Sequence, residues 1–198
     1  MPYPPEHRDE VRTKIVRSAQ RLFNRRGFEA VSIDQIMAAA GLTRGGFYRY
    51  FPSKSDLFAE AMDCFFTNPD CGNRWEGVQV DTARGNVGPQ IVRAYLSRQH
   101  FQDIEDSCPM VALSGDVARS GAKAKRAYEN ALRAMVEHLQ QESADNDGPD
   151  RNSALAIAAL CIGGMVIARA SDDLSIADEV RNAAMATALA LGGWEAQR

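Results

Sequence analysis

Ser32 to Lys54 reads SIDQIMAAAGLTRGGFYRYFPSK: two short helical segments around a tight turn at Gly41-Leu42. Ser32 is a helix N-cap, and Gln35 three residues on completes a capping box, in which each side chain satisfies the other's backbone N–H. Ile33, Ile36 and Met37 give that helix an apolar face, and Gly41 ends it. Thr43 is the expected N-cap of a second short helix running to about Tyr50, halted by Pro52. With Ile33, Ile36, Phe47 and Phe51 turned inward, the second helix presents Thr43, Arg44, Gly45, Gly46, Tyr48, Arg49 and Tyr50 outward. Cations, hydrogen-bonding aromatics and two residues without side chains suit a helix that enters a DNA groove and meets phosphates. Ser32 and Lys54 lie at helix N-termini, where backbone N–H groups favour anions, so both are expected at phosphates. The competing reading is an ordinary linker helix with partly buried tyrosines.

Working outward, Val11, Ile15, Val16, Ala19, Leu22 and Phe23 recur at helical spacing before Gly27. Ser53, with Asp56 at N3, caps a helix that buries Leu57, Phe58, Ala61, Met62, Phe65 and Phe66. Asn68 to Gly77 reads as a loop. Pro89 is expected at N1 of a helix to about Gln102, and Pro109 starts a shorter helix ending near Gly121. Ala122 to about Ser143 is long and amphipathic. Arg151 to about Ala170 and Ser175 to about Leu191 follow a break at Asn146-Asp147-Gly148-Pro149. The reading is all-α with about nine helices: a helix-turn-helix unit at 1–52, a connecting helix at 53–66 and a larger helical domain at 67–198.

The 198 residues carry a formal charge of −3, with 45% hydrophobic and 25% charged residues, as in ordinary globular chains. That charge is segregated. Residues 1–54 hold ten Lys and Arg against five Asp and Glu, a net of +5, which leaves −8 for the remainder. A basic end that faces DNA on an acidic body is therefore compatible with nucleic acid despite the total. Met1-Pro2-Tyr3-Pro4-Pro5 has no apolar stretch like that of a secretory signal, so none is expected. Ser153 to Ala168 lacks charge but is shorter than the roughly 20 residues of a membrane span, so a buried helix and a cytoplasmic location are expected. Cys64, Cys71, Cys108 and Cys161 lack metal or redox spacing, and no cofactor or metal motif appears.

The chain resembles the TetR family of bacterial transcriptional regulators over roughly residues 8–62. The resemblance is carried by Ile15, Ala19, Leu22, Phe23 and Gly27, then Ser32-Ile33 and Ile36. It continues through Ala40-Gly41-Leu42-Thr43-Arg44-Gly45-Gly46-Phe47-Tyr48-Arg49-Tyr50-Phe51, then Ser53-Lys54 and Leu57. It implies an all-helical homodimer with an N-terminal DNA-binding unit and a C-terminal effector and dimerisation domain. By position it puts Thr43, Arg44, Gly45, Tyr48, Arg49 and Lys54 where relatives commonly meet operator DNA. Gly46 departs from a place where a hydroxyl residue or alanine is common, which removes one contact.

Elsewhere the expectations are weaker in kind. The last two helices carry small and apolar stripes suited to a dimer's four-helix bundle: Leu155, Ala159, Ile162, Gly163 and Val166, with Ile176, Val180, Ala184, Thr187 and Leu191. An unknown small-molecule effector is expected near Tyr95, Phe101, Cys108, Met110, Tyr128, Met135 and Met165, a set equally readable as plain core. Cys108 before Pro109 also looks like a segment in one family branch whose cysteine senses electrophiles or oxidants, against the plain reading of a packing residue. The function read from the sequence is thus a ligand-responsive regulator, a repressor on a palindromic operator. The alternatives are a thiol-based sensor through Cys108 and, more remotely, an all-α enzyme. No G-x-S-x-G, Walker-type or H-E-x-x-H motif supports catalysis.

Overall fold

The structure, a computed structural model, describes residues 5–67, 80, 85–141 and 148–194. Among them every regular element is helical. In order these are α1 (Pro5–Arg26), α2 (Ile33–Ala39), a 3-10 helix (Arg44–Arg49), α3 (Lys54–Thr67), α4 (Val87–Tyr95), α5 (Arg98–Gln102), α6 (Pro109–Ala112), α7 (Ser114–Arg119), α8 (Ala122–Leu139), α9 (Arg151–Arg169) and α10 (Leu174–Leu191). The all-α expectation holds, with ten α-helices near the anticipated nine. The helix expected over Thr43 to about Tyr50 is 3-10, and the stretches expected as single helices from Pro109 to Gly121 and from Pro89 to Gln102 are each two. In the Pro89 stretch the helix breaks at Leu96, and Ser97 starts α5 by accepting from the His100 N–H. Pro89 therefore lies inside α4, whereas Pro109 does stand at the start of α6. The loop expected at Asn68–Gly77 lies outside the described residues, as does Cys71.

The chain forms two compact units. One comprises 1–73 with 104–131, the other 74–103 with 132–198. In the first, α1 packs along α3 and also meets α2 and α6. Its core is built on Ile15, Phe23, Ile36, Phe47, Phe51, Leu57, Phe58 and Met62, all at most 1% exposed, with Leu113, Val117 and Ala124 from the later segment. Burying each large side chain contributes about 1.5–3 kcal/mol, so this cluster fixes the unit.

In the second unit α9 and α10 pack side by side, with α4 against both. Gly164 permits the close approach: a Cβ there would lie 2.7 Å from the Ala184 Cβ. Ala154, Ile157, Ala158, Cys161, Met165 and Ala168 of α9 are buried. By length and composition α9 is apolar enough to cross a membrane, yet this buried stripe belongs to a helical core. Arg169 donates to the backbone carbonyls of His100 and Asp103. Arg181, 4% exposed, donates to the Leu96 carbonyl at 2.8 Å and pairs with Asp178.

Candidate nucleic-acid interface

The helix-turn-helix is set by caps. Ser32 Oγ accepts from the Gln35 N–H at 3.2 Å, and Gln35 Oε1 accepts from the Ser32 N–H at 2.9 Å, which completes the expected capping box. At the other end of α2, Gly41 adopts φ +70, the left-handed region that glycine enters without steric cost. The Gly41 N–H then reaches Ala38 O at 2.9 Å and the Leu42 N–H reaches Met37 O at 2.8 Å. This bond pair is a Schellman ending, which satisfies the last carbonyls and turns the chain sharply.

The second helix is 3-10 rather than α over Arg44–Arg49, and Thr43 makes no side-chain cap. Its tighter winding puts residues three apart in one row. Phe47, fully buried, shares a row with Arg44 and Tyr50, while Gly45 and Tyr48 share another. Thr43, Arg44, Gly45, Tyr48 and Arg49 are exposed, Tyr48 at 61%. Nothing lies within 4 Å of a Cβ built on Gly45. Gly46 and Tyr50 are half-buried: the Cβ direction of Gly46 meets Met37 Cε at 3.7 Å, and Tyr50 packs on the core. The outward face is thus a compact set of two cations, one aromatic hydroxyl, one aliphatic hydroxyl and one open glycine.

Several charges are already held. Arg44 pairs with Asp34 at 2.8 Å, both exposed. Such a surface pair is worth at most about 1 kcal/mol and yields readily to a phosphate. Lys54 at the start of α3 rests its ammonium 4.2 Å from the centroid of the Phe28 ring. Burial lowers its pKa, against the nearby Glu29 and Asp116 carboxylates, which raise it. Arg12 is a brace. It donates to both Glu60 carboxylate oxygens and to the Tyr50 carbonyl, and its guanidinium lies 4.3 Å from the Phe51 ring centroid. Arg8 adds a 3.4 Å bond to the Arg49 carbonyl. The C-terminal end of the 3-10 helix is therefore tied to α1 and α3 through its backbone, leaving the side chains of Tyr48 and Arg49 unencumbered by these contacts.

A second set of contacts, not legible in sequence, holds α1 from residues 105–116. Arg21 forms a two-bond pair with Asp106 at 2.6 and 2.7 Å, Arg25 pairs with Glu105 at 2.9 Å, and Asn24 donates to the carbonyls of Glu105 and Ser107. Asp116 accepts from the Phe28 N–H at 3.1 Å. The acidic residues before Cys108 are thereby turned onto α1. Cys108 is 1% exposed, at the start of a four-residue helix. Cys161 is buried, and burial pushes its thiol pKa up to about 12. Cys64 is disulfide-bonded.

The residues considered for an effector are distributed between the units. Cys108, Met110 and Tyr128 belong to the first, where the Tyr128 hydroxyl lies 3.1 Å from Ser114 Oγ. Tyr95, Phe101, Met135 and Met165 belong to the second, where Phe101 stacks under Arg181 and Tyr95 meets the His100 ring edge-on. Of the stripes on α9 and α10, Leu155, Ala159, Val166, Ile176, Thr187 and Leu191 are exposed and Ile162, Gly163 and Val180 half-buried. Ala184 instead faces Gly164 inside the unit, 8% exposed.

Comparison with known proteins agrees with this geometry. Residues 15–61 match the family model described as bacterial regulatory proteins, tetR family. The uncharacterised HTH-type transcriptional regulator Rv0196 of Mycobacterium tuberculosis is 28% identical over 182 residues, covering 85% of this chain and 89% of the relative. Against three other curated regulators the match is more local, and the chain spans 35%, 28% and 27% of their lengths. In fold, the chain is similar to the reduced form of E. coli NemR, with TM-score 0.71 and 20% identity over 90% of this chain and 95% of that one. It is also similar to SmeT, solved as a triclosan complex, with TM-score 0.58 and 19% identity over 91% and 90%. With the helix-turn-helix built as above and residues 15–61 matched by this family model, that segment is a helix-turn-helix unit like that of the tetR family of bacterial regulatory proteins.

Proposed function

We propose that this protein is a DNA-binding transcriptional repressor of the TetR family, a homodimer released from a palindromic operator by a small-molecule effector. The observation that carries the reading is the exposed face Thr43, Arg44, Gly45, Tyr48 and Arg49 on a 3-10 helix whose backbone is braced by Arg12 and Arg8. Rigid backbone with free polar side chains is what base and phosphate contacts require. Ser32, Gly46, Tyr50 and Lys54 complete the proposed contact set, Gly46 and Tyr50 at its half-buried edge. Two copies would set their recognition helices in successive major grooves, about 34–36 Å apart. An effector that prefers another arrangement of the dimer lowers operator affinity by its differential binding to the two states. The triclosan complex of SmeT supports a small-molecule effector as the class of signal.

Selection of bound sites from random DNA, followed by gel-shift titration, tests the reading. Tyr48→Ala and Arg49→Ala should each weaken operator binding by about 1–3 kcal/mol while the melting temperature stays within a degree or two. Unchanged binding in both variants would remove this helix from the interface. The thiol-sensor alternative rests on the fold likeness to reduced NemR and on Cys108. The thiol is shielded, so sensing through it requires local opening. Cys108→Ser with intact DNA binding and lost response to electrophiles would favour that alternative.

A further inference from the structure

A cavity of about 260 Å³ opens in the first unit, outside the set of residues considered above for an effector. Phe28 and Phe58 give it an apolar surface, and Glu29, Asp116, Arg119 and Lys123 give it charge. The aromatic surface is fixed, because Phe23, Phe28 and Phe58 pack on one another with centroids 4.7–5.6 Å apart. The carboxylates are largely committed. Asp116 accepts from the Phe28 N–H at 3.1 Å and from Arg119 at 3.0 Å. Asp56 beside the cavity accepts from Lys123 and from the Ser53 hydroxyl. Glu29 acts electrostatically on the Lys54 ammonium.

The cations keep donors in reserve. A guanidinium has five N–H groups and an ammonium three, and each cation here makes one carboxylate contact. Arg119 and Lys123 are also exposed, at 72% and 63% of their side chains. The cavity therefore pairs a rigid aromatic surface with two cations that hold donors in reserve. Its volume lies below the roughly 300–1,000 Å³ of sites for drug-sized ligands, so one ring is the scale it holds. We propose that this cavity binds a small aromatic carboxylate, with its ring on Phe28 and Phe58 and its carboxylate on Arg119 and Lys123. Binding there reaches the DNA-facing elements directly, since Phe28 also carries the Lys54 ammonium at 4.2 Å.

The test is titration of the full chain with benzoate, followed by calorimetry and amide NMR. Saturable binding of one benzoate per chain is expected, with shifts at the Phe28 and Gly121 amides. Arg119→Gln should weaken it about tenfold or more, the value of a charge-assisted hydrogen bond. Ser55→Trp, which fills the cavity from an exposed lining position, should abolish it. Benzylammonium, with the same ring and the opposite charge, should not bind. Absence of saturable binding, benzoate binding untouched by Arg119→Gln and Ser55→Trp, or benzylammonium binding as well as benzoate would each overturn the proposal. Should Ser55→Trp prove unfolded by circular dichroism, Arg119→Gln alone decides, because that side chain is solvent-facing and outside the core. None of these readouts uses DNA, so failure here and failure of the operator reading are separable.

Discussion

Two glycines of the first unit behave oppositely under the same substitution. Gly27 has φ +78, and a Cβ there would stand 3.2 Å from the Asp116 carboxylate oxygen that holds the Phe28 N–H. Gly27→Ala should cost about 1–2 kcal/mol from the left-handed backbone alone, read as a lower urea midpoint. Gly45 has open space around its Cβ direction. Gly45→Ala should change stability by less than about 0.5 kcal/mol. It adds a methyl to the face proposed to enter the groove, so operator affinity should fall by about 1–3 kcal/mol, on the scale of a mismatched base pair. A different residue sets the acid limit of the second unit. His100 is fully buried, and burial lowers its pKa to about 3, with Arg169 acting in the same direction. The hydrogen bond to the Tyr95 carbonyl and the Asp103 charge act in the opposite direction. The unfolded chain takes up this proton near the usual pKa of about 6.5, the folded chain only near 3. Between those values the unfolded state binds more protons, so stability falls as pH falls, by up to about 1.4 kcal/mol per pH unit. Urea titrations from pH 7 to pH 4 should show that slope, and His100→Gln should flatten it.

Among the elements, α1 is the one whose neighbours the sequence conceals. Its C-terminal half is held by residues 105–107 through three side chains of unequal worth. Asn24, 8% exposed, serves two carbonyls at 2.8 and 3.0 Å. Asn24→Ala should cost about 1–3 kcal/mol, because it strips donors from largely buried oxygens. Arg25 and Glu105 are solvent-facing, at 63% and 47% exposure. Arg25→Ala should therefore move the denaturation midpoint by less than the equivalent of about 1 kcal/mol. Equal effects in the two variants would mean that this seam acts by charge alone. The local rules, by contrast, were readable. The Ser32–Gln35 box, the Gly41 turn, the Ser53 cap and the inward Phe47 and Phe51 follow from neighbours within five residues, and so does most of the proposed DNA face. What sequence misplaced depends on distant partners. The 3-10 winding of residues 44–49 half-buries Gly46 and Tyr50. The break in the single helix expected at 89–102 is the local exception, since Ser97 caps the His100 N–H three residues on. Periodicity carries no information about which helix lies opposite, so neither the hold on α1 nor the cavity beside Phe28 had a sequence signal.

At the scale of the whole molecule the question is what covers α9 and α10. The two helices leave Leu155, Val166, Ile167, Ile176 and Leu191 between 39% and 58% exposed, a run of apolar surface unusual for a face left to water. Sequence reads their small-residue stripes as one surface, but packing splits them. Ala158, Ala184 and Ala188 turn inward, and Ala159 and Thr187 stay outside. This division makes the proposed homodimer testable by paired substitutions on one helix. Thr187→Arg places a charge on the outer face without disturbing the α9–α10 seam. It should yield a folded monomer by light scattering, with a near-native melting temperature. Such a monomer keeps its affinity for an isolated half-site but loses the joint hold on a palindrome, so full-operator affinity should fall by orders of magnitude. Ala184→Leu acts on the inner face, where the Cβ already lies 2.7 Å from the Gly164 Cβ position. It should cost about 1–3 kcal/mol through overpacking and lower the melting temperature first. A dimer that survives Thr187→Arg and a companion Ile176→Arg would place the second copy on some other surface. The exposed apolar face would then need a different partner.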